Sequence, residues 1–502
     1  MHLARTQASA GNQASRNARL AVTHPTRSAA HAVAQAAFKS AVKPIAGGVL
    51  VAGLLALAGC GNNYRPVISA ISPVGPATLT TKYAVVISNP GTGLPGLATF
   101  VDFSGDSTVI TANIGVNPQY LYLGGSGSEG YSINGDGTLS SFAITPTLLS
   151  SQVAQTTLLP VPATNANCSP ITAGPVTIPT SATTANCLPT SIFPQGTYTY
   201  LTEPGPTPVV GEFSGTPPAL QQNISGVGTN PVYIAGVAGA PRIYSISRGP
   251  LATNASTGLL APTGPGSVAA INTATNSVDS TIPVGLNPVY GVMTATYQRT
   301  FILNQGSNNV TVINSQQNTL DTGVPNGTIT DPAAVAPVWA DLAPTLNELL
   351  VVNQGANGGN GSVSIFNIPL CSTSALTTNP NCNPDNPIDA TNFGTLVANI
   401  PVGKNPVMIA ALQDGSQAFV INEGDSTVSA INLTTDTVTA TIPIPSTPSP
   451  TFLAATTGTP LGKVYVTSTT SPTMTILRTD TDTVDTTVDL QGTGVQVRVT
   501  AP

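Results

Sequence analysis

One phrase recurs along this chain. Its clearest copy is ANIPVGKNPVMIAALQDGSQAFVINEGDSTVSAINLTTDTVTATIPI at 398–444, and STIPVGLNPVYGVMTATYQRTFILNQGSNNVTVINSQQNTL at 280–320 is a second. Fragments of the same phrase lie at 112–123, 222–237, 266–284, 348–367 and 463–490. Self-similarity at a fixed period indicates one small structural unit stacked many times, so it constrains the fold more than any other feature of the sequence.

Each full copy contains four short strand-like runs. In the copy at 398–444 they read PVMIAAL, SQAFVIN, TVSAINL and TVTATIPI, and the turn signals DG, EGD and TTD separate them. Four antiparallel strands in roughly 40–45 residues are the period of a β-propeller blade. A lone blade has two apolar faces, and stacking blades around an axis buries both. The sequence therefore predicts an all-β fold, a β-propeller of four-stranded antiparallel blades.

The repeat units number eight, and we predict seven or eight blades. We place the units at 66–114, 114–160, 188–224, 224–283, 284–328, 329–400, 400–444 and 445–490. A further strand-like run, GVQVRVTAP at 494–502, follows the last unit. We expect it to complete the first blade, because closing the ring leaves no unpaired sheet edge.

Composition agrees with strands joined by tight turns. The chain has 48 Gly and 45 Pro, 41% of its residues are apolar and only 7% are charged. Disorder requires low hydrophobicity and high net charge, so this balance disfavours a disordered chain.

The phrase I-P-V-G-x-N-P-V, followed by V-I-N and T-V-S-x-I-N, resembles the YVTN-type β-propeller repeat. Tyr465, Val466 and Thr467 supply three of the letters that name this repeat, and Ser468 stands where that family has Asn. The resemblance extends from about residue 66 to 490. It implies an exported or cell-surface propeller, a group whose functions are often unassigned.

The first 60 residues have the layout of a secretory leader. They hold six of the 15 Lys and Arg and none of the 21 acids, and residues 45–60 read IAGGVLVAGLLALAGC. The apolar run is short for a membrane span, which needs roughly 20 residues. Its end, Leu57-Ala58-Gly59-Cys60, resembles the lipobox of bacterial lipoproteins, which implies cleavage before Cys60 and lipidation of its sulfur.

We accordingly predict three regions. Residues 1–59 form a signal peptide with a long basic n-region, 60–66 a lipidated tether and 67–502 the propeller. The mature protein is expected to be a membrane-anchored lipoprotein in the periplasm or at the cell surface. Gly61 is not the Asp that retains enteric lipoproteins in the inner membrane, so the outer membrane is preferred. A plain signal peptide or uncleaved anchor is the alternative.

The four remaining cysteines form two local pairs. Cys168 and Cys187 lie in one Pro/Asn/Thr-rich insertion near 161–187, and Cys371 and Cys382 in another near 368–394. In an exported protein such pairs favour disulfides, each stabilising by about 3 kcal/mol in the chain-entropy model. A metal site is the alternative, but the spacing fits no common zinc pattern.

Charge and histidine content exclude several functions. After residue 59 the chain has an excess of 12 negative charges, which repels nucleic acid phosphates, so no nucleic-acid partner is expected. His2, His24 and His31 all lie in the leader. A cleaved protein would contain no imidazole, which excludes a Ser-His-Asp triad and His-ligated zinc.

Several patterns allow both a functional and a structural interpretation. The acids of TDTDTVD at 479–485 invite a calcium site, but they align with a strand-connecting turn in other units. The only tryptophan, Trp339, occupies the position of Tyr in the NPVY segment, and we expect core packing rather than a stacking platform. Four Asn-Pro pairs are expected to shape turns rather than bind a ligand; they lie at 117–118, 230–231, 287–288 and 405–406.

Scattered acids are the remaining candidates. They could meet in the central channel or at the rim, although solvated surface acids are the default: Glu203, Glu212, Asp341, Glu348 and Glu423. We predict no cofactor, with a divalent metal such as calcium left open.

The resulting hypothesis is a lipid-anchored envelope platform. It is held to the membrane by its N-terminal lipid, and its rim or channel binds a protein, a glycan or a small molecule. One alternative is a metal-dependent, lactonase-like hydrolase that uses channel carboxylates. A second alternative is a structural component of the envelope. We favour a function other than catalysis.

Overall fold

A computed structural model describes residues 82–124, 127–150, 155–159, 188–205, 207–253, 255, 260–370, 392–456 and 462–500. These residues form an all-β protein in which eight antiparallel sheets are the blades of a β-propeller. The prediction of the fold class is confirmed, and the number of blades is eight.

The first four blades have the following strands. Blade 1 comprises β1 (Tyr83–Asn89), β2 (Pro95–Asp102) and β3 (Thr108–Val116). Blade 2 comprises β4 (Pro118–Leu123), β5 (Glu129–Asn134), β6 (Thr138–Ala143) and β7 (Gln155–Leu158), with helix α1 (Ile144–Ser150) before β7. Blade 3 comprises β8 (Ile192–Gln195), β9 (Tyr198–Glu203), β10 (Val209–Ser214) and β11 (Ala219–Ile224). Blade 4 comprises β12 (Pro231–Ala235), β13 (Arg242–Ser247), β16 (Pro265–Asn272) and β17 (Ser277–Leu286); the hairpin of β14 (Leu251–Thr253) and β15 (Leu260–Pro262) is inserted after β13.

The last four blades complete the circle. Blade 5 comprises β18 (Pro288–Met293), β19 (Arg299–Asn304), β20 (Asn309–Asn314) and an outer strand in two pieces, β21 (Thr319–Leu320) and β22 (Thr328–Ile329). Blade 6 comprises β23 (Pro337–Ala343), β24 (Glu348–Asn353), β25 (Asn360–Asn367) and β26 (Leu396–Lys404). Blade 7 comprises β27 (Pro406–Ala411), β28 (Gln417–Asn422), β29 (Thr427–Asn432) and β30 (Thr437–Pro443). Blade 8 comprises β31 (Phe452–Thr456), β32 (Lys463–Thr467), β33 (Thr473–Arg478) and β34 (Thr483–Asp489). Single 3-10 turns lie at Pro325–Gly327, Ala356–Gly358 and Glu423–Asp425.

The two ends of the chain meet in blade 1. The last strand, β35 (Thr493–Val499), pairs antiparallel with β1 and is the innermost strand of that sheet. It also contacts the inner strands of both neighbouring blades, β31 and β4, and Gln496 Oε1 accepts a hydrogen bond of 2.9 Å from Leu121 N. The ring is closed by the tail strand, as the sequence predicted.

A buried asparagine explains why the repeat keeps its VIN, TVS and IPVG segments. In blade 7, Asn422 donates from Nδ2 to Thr427 Oγ1 at 3.0 Å and Ser429 Oγ at 2.9 Å. Its Oδ1 accepts from Gly403 N of the preceding blade at 3.1 Å. Every polar atom of this unexposed amide therefore has a partner, and the amide joins two neighbouring blades.

The Asn-Pro pairs shape the entry to the inner strands. Asn117, Asn230, Asn287 and Asn405 all have φ between 45° and 57°, the left-handed region that Asn tolerates. The carbonyl of each accepts a backbone hydrogen bond from the residue that follows the second strand, as Asn287 O does from Gln305 N at 3.0 Å. The prediction that these Asn-Pro pairs shape turns is confirmed.

The core lies between adjacent blades. Second strands such as β28 are buried on both faces, because each sheet packs against a neighbour on either side. Outer strands such as β30 alternate between exposed and half-buried side chains. Burial is therefore highest in the middle strands of a blade and falls toward its outer strand.

The predicted leader, including Leu57, Ala58, Gly59 and Cys60, lies outside the described residues, and so do Cys168, Cys187, Cys371 and Cys382. In the part of the chain that is described, no helix is both long and apolar enough to span a bilayer.

Candidate functional site

Equivalent positions on four inner strands carry aromatic side chains. Tyr120, Tyr233, Tyr290 and Trp339 each stand two residues after the proline that begins the strand. In all four strands the pairing register shifts between that proline and the aromatic residue. A bulge of this kind turns the following side chain, here toward the axis.

Tyr233, Tyr290, Trp339 and Phe452 form a chain of ring contacts that ends at Arg498. We call these five residues the channel stack. Tyr233 and Tyr290 have ring centroids 4.6 Å apart, and Tyr290 stacks on Trp339 at 4.1 Å with an interplanar angle of 23°. Trp339 meets Phe452 edge to face at 5.9 Å. The Arg498 guanidinium lies over the Phe452 ring, 4.7 Å from its centroid. These residues come from blades 4, 5, 6, 8 and 1, so their contacts fill part of the channel.

A cavity of about 270 Å³ lies beside the channel stack, and we call it the channel cavity. Its lining is aromatic and aliphatic with one charged group, and includes Tyr120, Tyr122, Phe193, Tyr233, Tyr290, Val292 and Arg498. Phe193 meets Tyr122 edge to face at 5.7 Å, which fixes one wall. A concave site in which aromatic walls stand beside hydrogen-bonding groups is a usual form of a small-molecule site.

Arg498 is the only charged residue among the described residues that line the channel cavity. Its Nε atom is buried and has no hydrogen-bond partner. In the described part of the chain no carboxylate lies within ion-pairing distance of its guanidinium. A half-buried guanidinium therefore presents unused donors to the channel.

Asp341 is the one predicted acid that lies on an inner strand. Its Oδ1 accepts a hydrogen bond from Leu342 N and its Oδ2 one from Ala411 N, both at 2.9 Å, so the carboxyl group joins blades 6 and 7. Burial raises the pKa of Asp341 to about 6, against the opposing effects of these two N–H groups and of the Arg498 charge.

The tyrosines of the channel cavity are neutral donors. Burial raises the pKa of Tyr122 to about 12, and it raises the pKa values of Tyr233 and Tyr290 further still. All three therefore keep their hydroxyl protons at any physiological pH. Tyr233 and Tyr290 hydrogen-bond each other, which uses one of their two hydroxyl protons, and Tyr122 and Arg498 are the further donors of the site.

The other predicted acids lie away from the channel cavity. Glu203 is 2% exposed on β9, its Oε1 has no partner, and burial raises its pKa to about 7. Glu212 Oε2 accepts from Gln222 Nε2 at 2.6 Å. Burial raises the pKa of Glu348 to about 7, with a smaller contribution from the charge of Asp436.

Glu423 has a local structural role at the corner of blade 7. Its Oε2 accepts from Asn405 Nδ2 at 2.7 Å. The five acids do not converge, and the described residues contain no group of three His, Cys, Asp or Glu side chains placed to hold a metal ion.

The acids at 479–485 belong to a turn. Asp480 forms an ion pair with Arg478 at 2.7 Å, and Asp482 has φ 52°, as Asp436 does in the corresponding turn of blade 7. The structure supports the turn interpretation of this segment.

Trp339 packs against the core, as the sequence analysis expected. Its ring is half-buried, contacts the core clusters on both sides of blade 7, and also stacks on Tyr290 in the channel. Sequence reasoning missed the tyrosines and Arg498, although the aromatic residue that recurs after Asn-Pro-x was a visible signal.

Comparisons with known proteins show similarity in fold to several solved structures. No protein-family model matches this chain, and no curated protein matches it. Among solved structures, dihydro-heme d1 dehydrogenase NirN in complex with DHE is similar with a TM-score of 0.52 at 9% identity, over 82% of this chain and 73% of that one. Apo AztD from Citrobacter koseri has a TM-score of 0.47 at 10% identity, over 83% and 97% of the two chains. Kuenenia stuttgartiensis hydrazine synthase has 0.43 at 15% identity, over 69% and 94%.

At these identities the likeness concerns the fold alone. The described part of the chain is an eight-bladed β-propeller whose channel cavity is lined mainly by aromatic and aliphatic residues and one arginine.

Proposed function

We propose that this chain is an exported, lipid-anchored β-propeller of the YVTN-repeat type that binds a small ligand in the channel cavity. The observation that carries the proposal is the unpartnered Arg498 guanidinium in an aromatic cavity of about 270 Å³. Buried donors without acceptors are costly, so a chain that keeps them at a concave site gains by binding a ligand there.

The size of the channel cavity suits a small organic molecule. At about 30 Å³ per water, 270 Å³ corresponds to roughly nine waters, so a ligand on the order of ten non-hydrogen atoms would fill it. Two walls are fixed by ring-to-ring contacts, which makes the site largely preformed. Preformed walls reduce the entropy lost on binding.

The hydrolase alternative has less support. It requires a divalent metal held by converging acidic side chains, and Asp341 is the one predicted acid that lies on an inner strand. Both of its oxygens already accept backbone hydrogen bonds.

Trp339 provides the test of binding. It is the only tryptophan of the chain and part of the channel stack, so its emission reports on the channel alone. We would titrate the protein with small organic anions, neutral compounds and cations, and repeat each titration with Val292→Phe, which fills the channel cavity. We expect at least one class of compound to change the emission saturably in the wild type and not in Val292→Phe. An unchanged emission with all three classes would contradict the proposal, and so would equal responses from both proteins.

Support for the lipid anchor comes from the leader. The basic acid-free segment, the short apolar run and the lipobox-like Leu57-Ala58-Gly59-Cys60 occur in the order that lipoproteins use. Metabolic labelling with a fatty-acid analogue should mark the wild type and the control Cys168→Ala, and should spare Cys60→Ala. Labelling of Cys60→Ala would remove the anchor from the proposal.

Export also favours the two disulfides proposed within the insertions, Cys168 with Cys187 and Cys371 with Cys382. Intact-mass measurement before and after reduction should show a gain of two hydrogens for each bridge. An unchanged mass would show that the thiols are free.

A further inference from the structure

We infer that the ligand of the channel cavity is a flat organic anion with a single acidic group, which Arg498 binds. This inference rests on the proposed function and specifies the chemistry of its ligand.

Charge follows from the state of Arg498. Its guanidinium is the one charged group among the described residues that line the channel cavity, its Nε lacks a partner, and it has no carboxylate within reach. A half-buried cation without an ion-pair partner is unfavourable, and an anion would supply both the charge and the hydrogen-bond acceptors. Asp341 forms no ion pair with Arg498, although its charge acts on the guanidinium from farther away, and its two oxygens accept the N–H groups of Leu342 and Ala411.

Orientation follows from the contact between Arg498 and Phe452. The guanidinium carbon lies 4.7 Å from the centre of the Phe452 ring, so the ring contacts one side of the group. A cation–π contact of this kind restricts the position of the guanidinium and leaves the N–H groups on its other side available. These N–H groups suit an oxyanion that accepts two parallel hydrogen bonds.

Shape follows from the walls. Tyr122 and Phe193 form one aromatic wall, and Tyr233 and Tyr290 form another. Aromatic walls favour a ligand with a flat, apolar body, which can contact ring faces or edges. The neutral Tyr122 hydroxyl can donate to the same anion or to a second polar atom, whereas one hydroxyl proton of the Tyr233–Tyr290 pair is used in the hydrogen bond between them.

The number of acidic groups follows from the single guanidinium. A polyanion would leave charges uncompensated in the channel, and a cation would meet Arg498 without a carboxylate among the lining residues. A structural role is the competing explanation: Arg498 could serve only to pack the closing strand against Phe452. If Arg498 only packed the closing strand, the affinity for a ligand would not depend on the charge of that ligand.

The test compares benzenesulfonate with benzenesulfonamide, two probes of the same shape that differ in charge, by isothermal titration calorimetry. For the wild type we expect the sulfonate to bind at least about tenfold more tightly than the sulfonamide. Arg498→Met should lose about tenfold or more of the sulfonate affinity and change the sulfonamide affinity by less than about twofold. Arg498→Lys should retain part of the preference, and the matched control Lys404→Met, which removes an exposed cation of the rim, should behave as the wild type.

Three results would overturn the inference. They are equal affinities of the wild type for the two probes, an undiminished sulfonate affinity in Arg498→Met, and a preference for a cationic probe of the same size. Each of these results leaves the proposed function intact. If no class of compound changes the Trp339 emission, the proposed function and this inference are both rejected. If Arg498→Met does not fold, the wild-type comparison of the two probes decides the inference alone.

Discussion

The closing strand should contribute measurably to stability through one buried valine. Val497 of β35 is 0% exposed, is paired in register with Val86 of β1, and belongs to the core that blades 7, 8 and 1 share. Val497→Ala removes two methyl groups from this core. At about 0.8 kcal/mol per buried carbon the transfer contribution is about 1.6 kcal/mol, and the cavity left behind brings the loss to about 2–3 kcal/mol.

The matched control is Val109→Ala on β3, the outer strand of the same blade. Val109 is 48% exposed, so the same chemical change should cost less than about 0.5 kcal/mol. Urea unfolding followed by Trp339 emission and by circular dichroism gives both values from the shift in midpoint at constant slope. If Val497→Ala were as stable as Val109→Ala, β35 would not be an integral part of the ring.

Three further predictions concern buried polar groups. Arg299 and Asp321 form an ion pair with both side chains unexposed, so Arg299→Met should cost about 3–5 kcal/mol and Arg299→Met/Asp321→Leu much less; equal losses in urea unfolding would contradict this. Because burial raises the pKa of Asp341 to about 6, this acid is charged at pH 7.5 and mostly neutral at pH 5. Its negative charge opposes anion binding at Arg498, so the affinity for benzenesulfonate, which stays ionised, should rise roughly two- to tenfold at the lower pH. Asp341→Asn should abolish this dependence in calorimetry, and a persisting dependence would assign it to another group. Asn422→Ala leaves buried groups of two blades without partners and should cost about 2–3 kcal/mol, whereas a loss below about 0.5 kcal/mol in urea unfolding would contradict the role of this amide.

Much of the fold could be predicted because each copy of the repeat contains the residues that form its turns. The unit placed at 400–444 corresponds to β27–β30, and the unit at 284–328 to β18–β22. Asn and Asp mark these boundaries since they adopt the left-handed conformation that the turns require. The closing strand was predictable for a different reason, the need to pair a free sheet edge.

The channel could not be predicted in the same way. Inner strands are half-buried on one side and face a narrow channel on the other, so polarity does not alternate clearly along them. The register shift after each proline also changes which side chain points inward. Arg498 lies in a strand outside every copy of the repeat, so no alignment of units could place it beside Tyr122 and Tyr233.

A crystal structure of the protein with benzenesulfonate tests the central claim most directly. The account predicts one sulfonate in the channel cavity, with two oxygens within hydrogen-bonding distance of Arg498 and the ring between Tyr122 and Tyr233. Density for the probe on the rim alone, with only water beside Arg498, would contradict it.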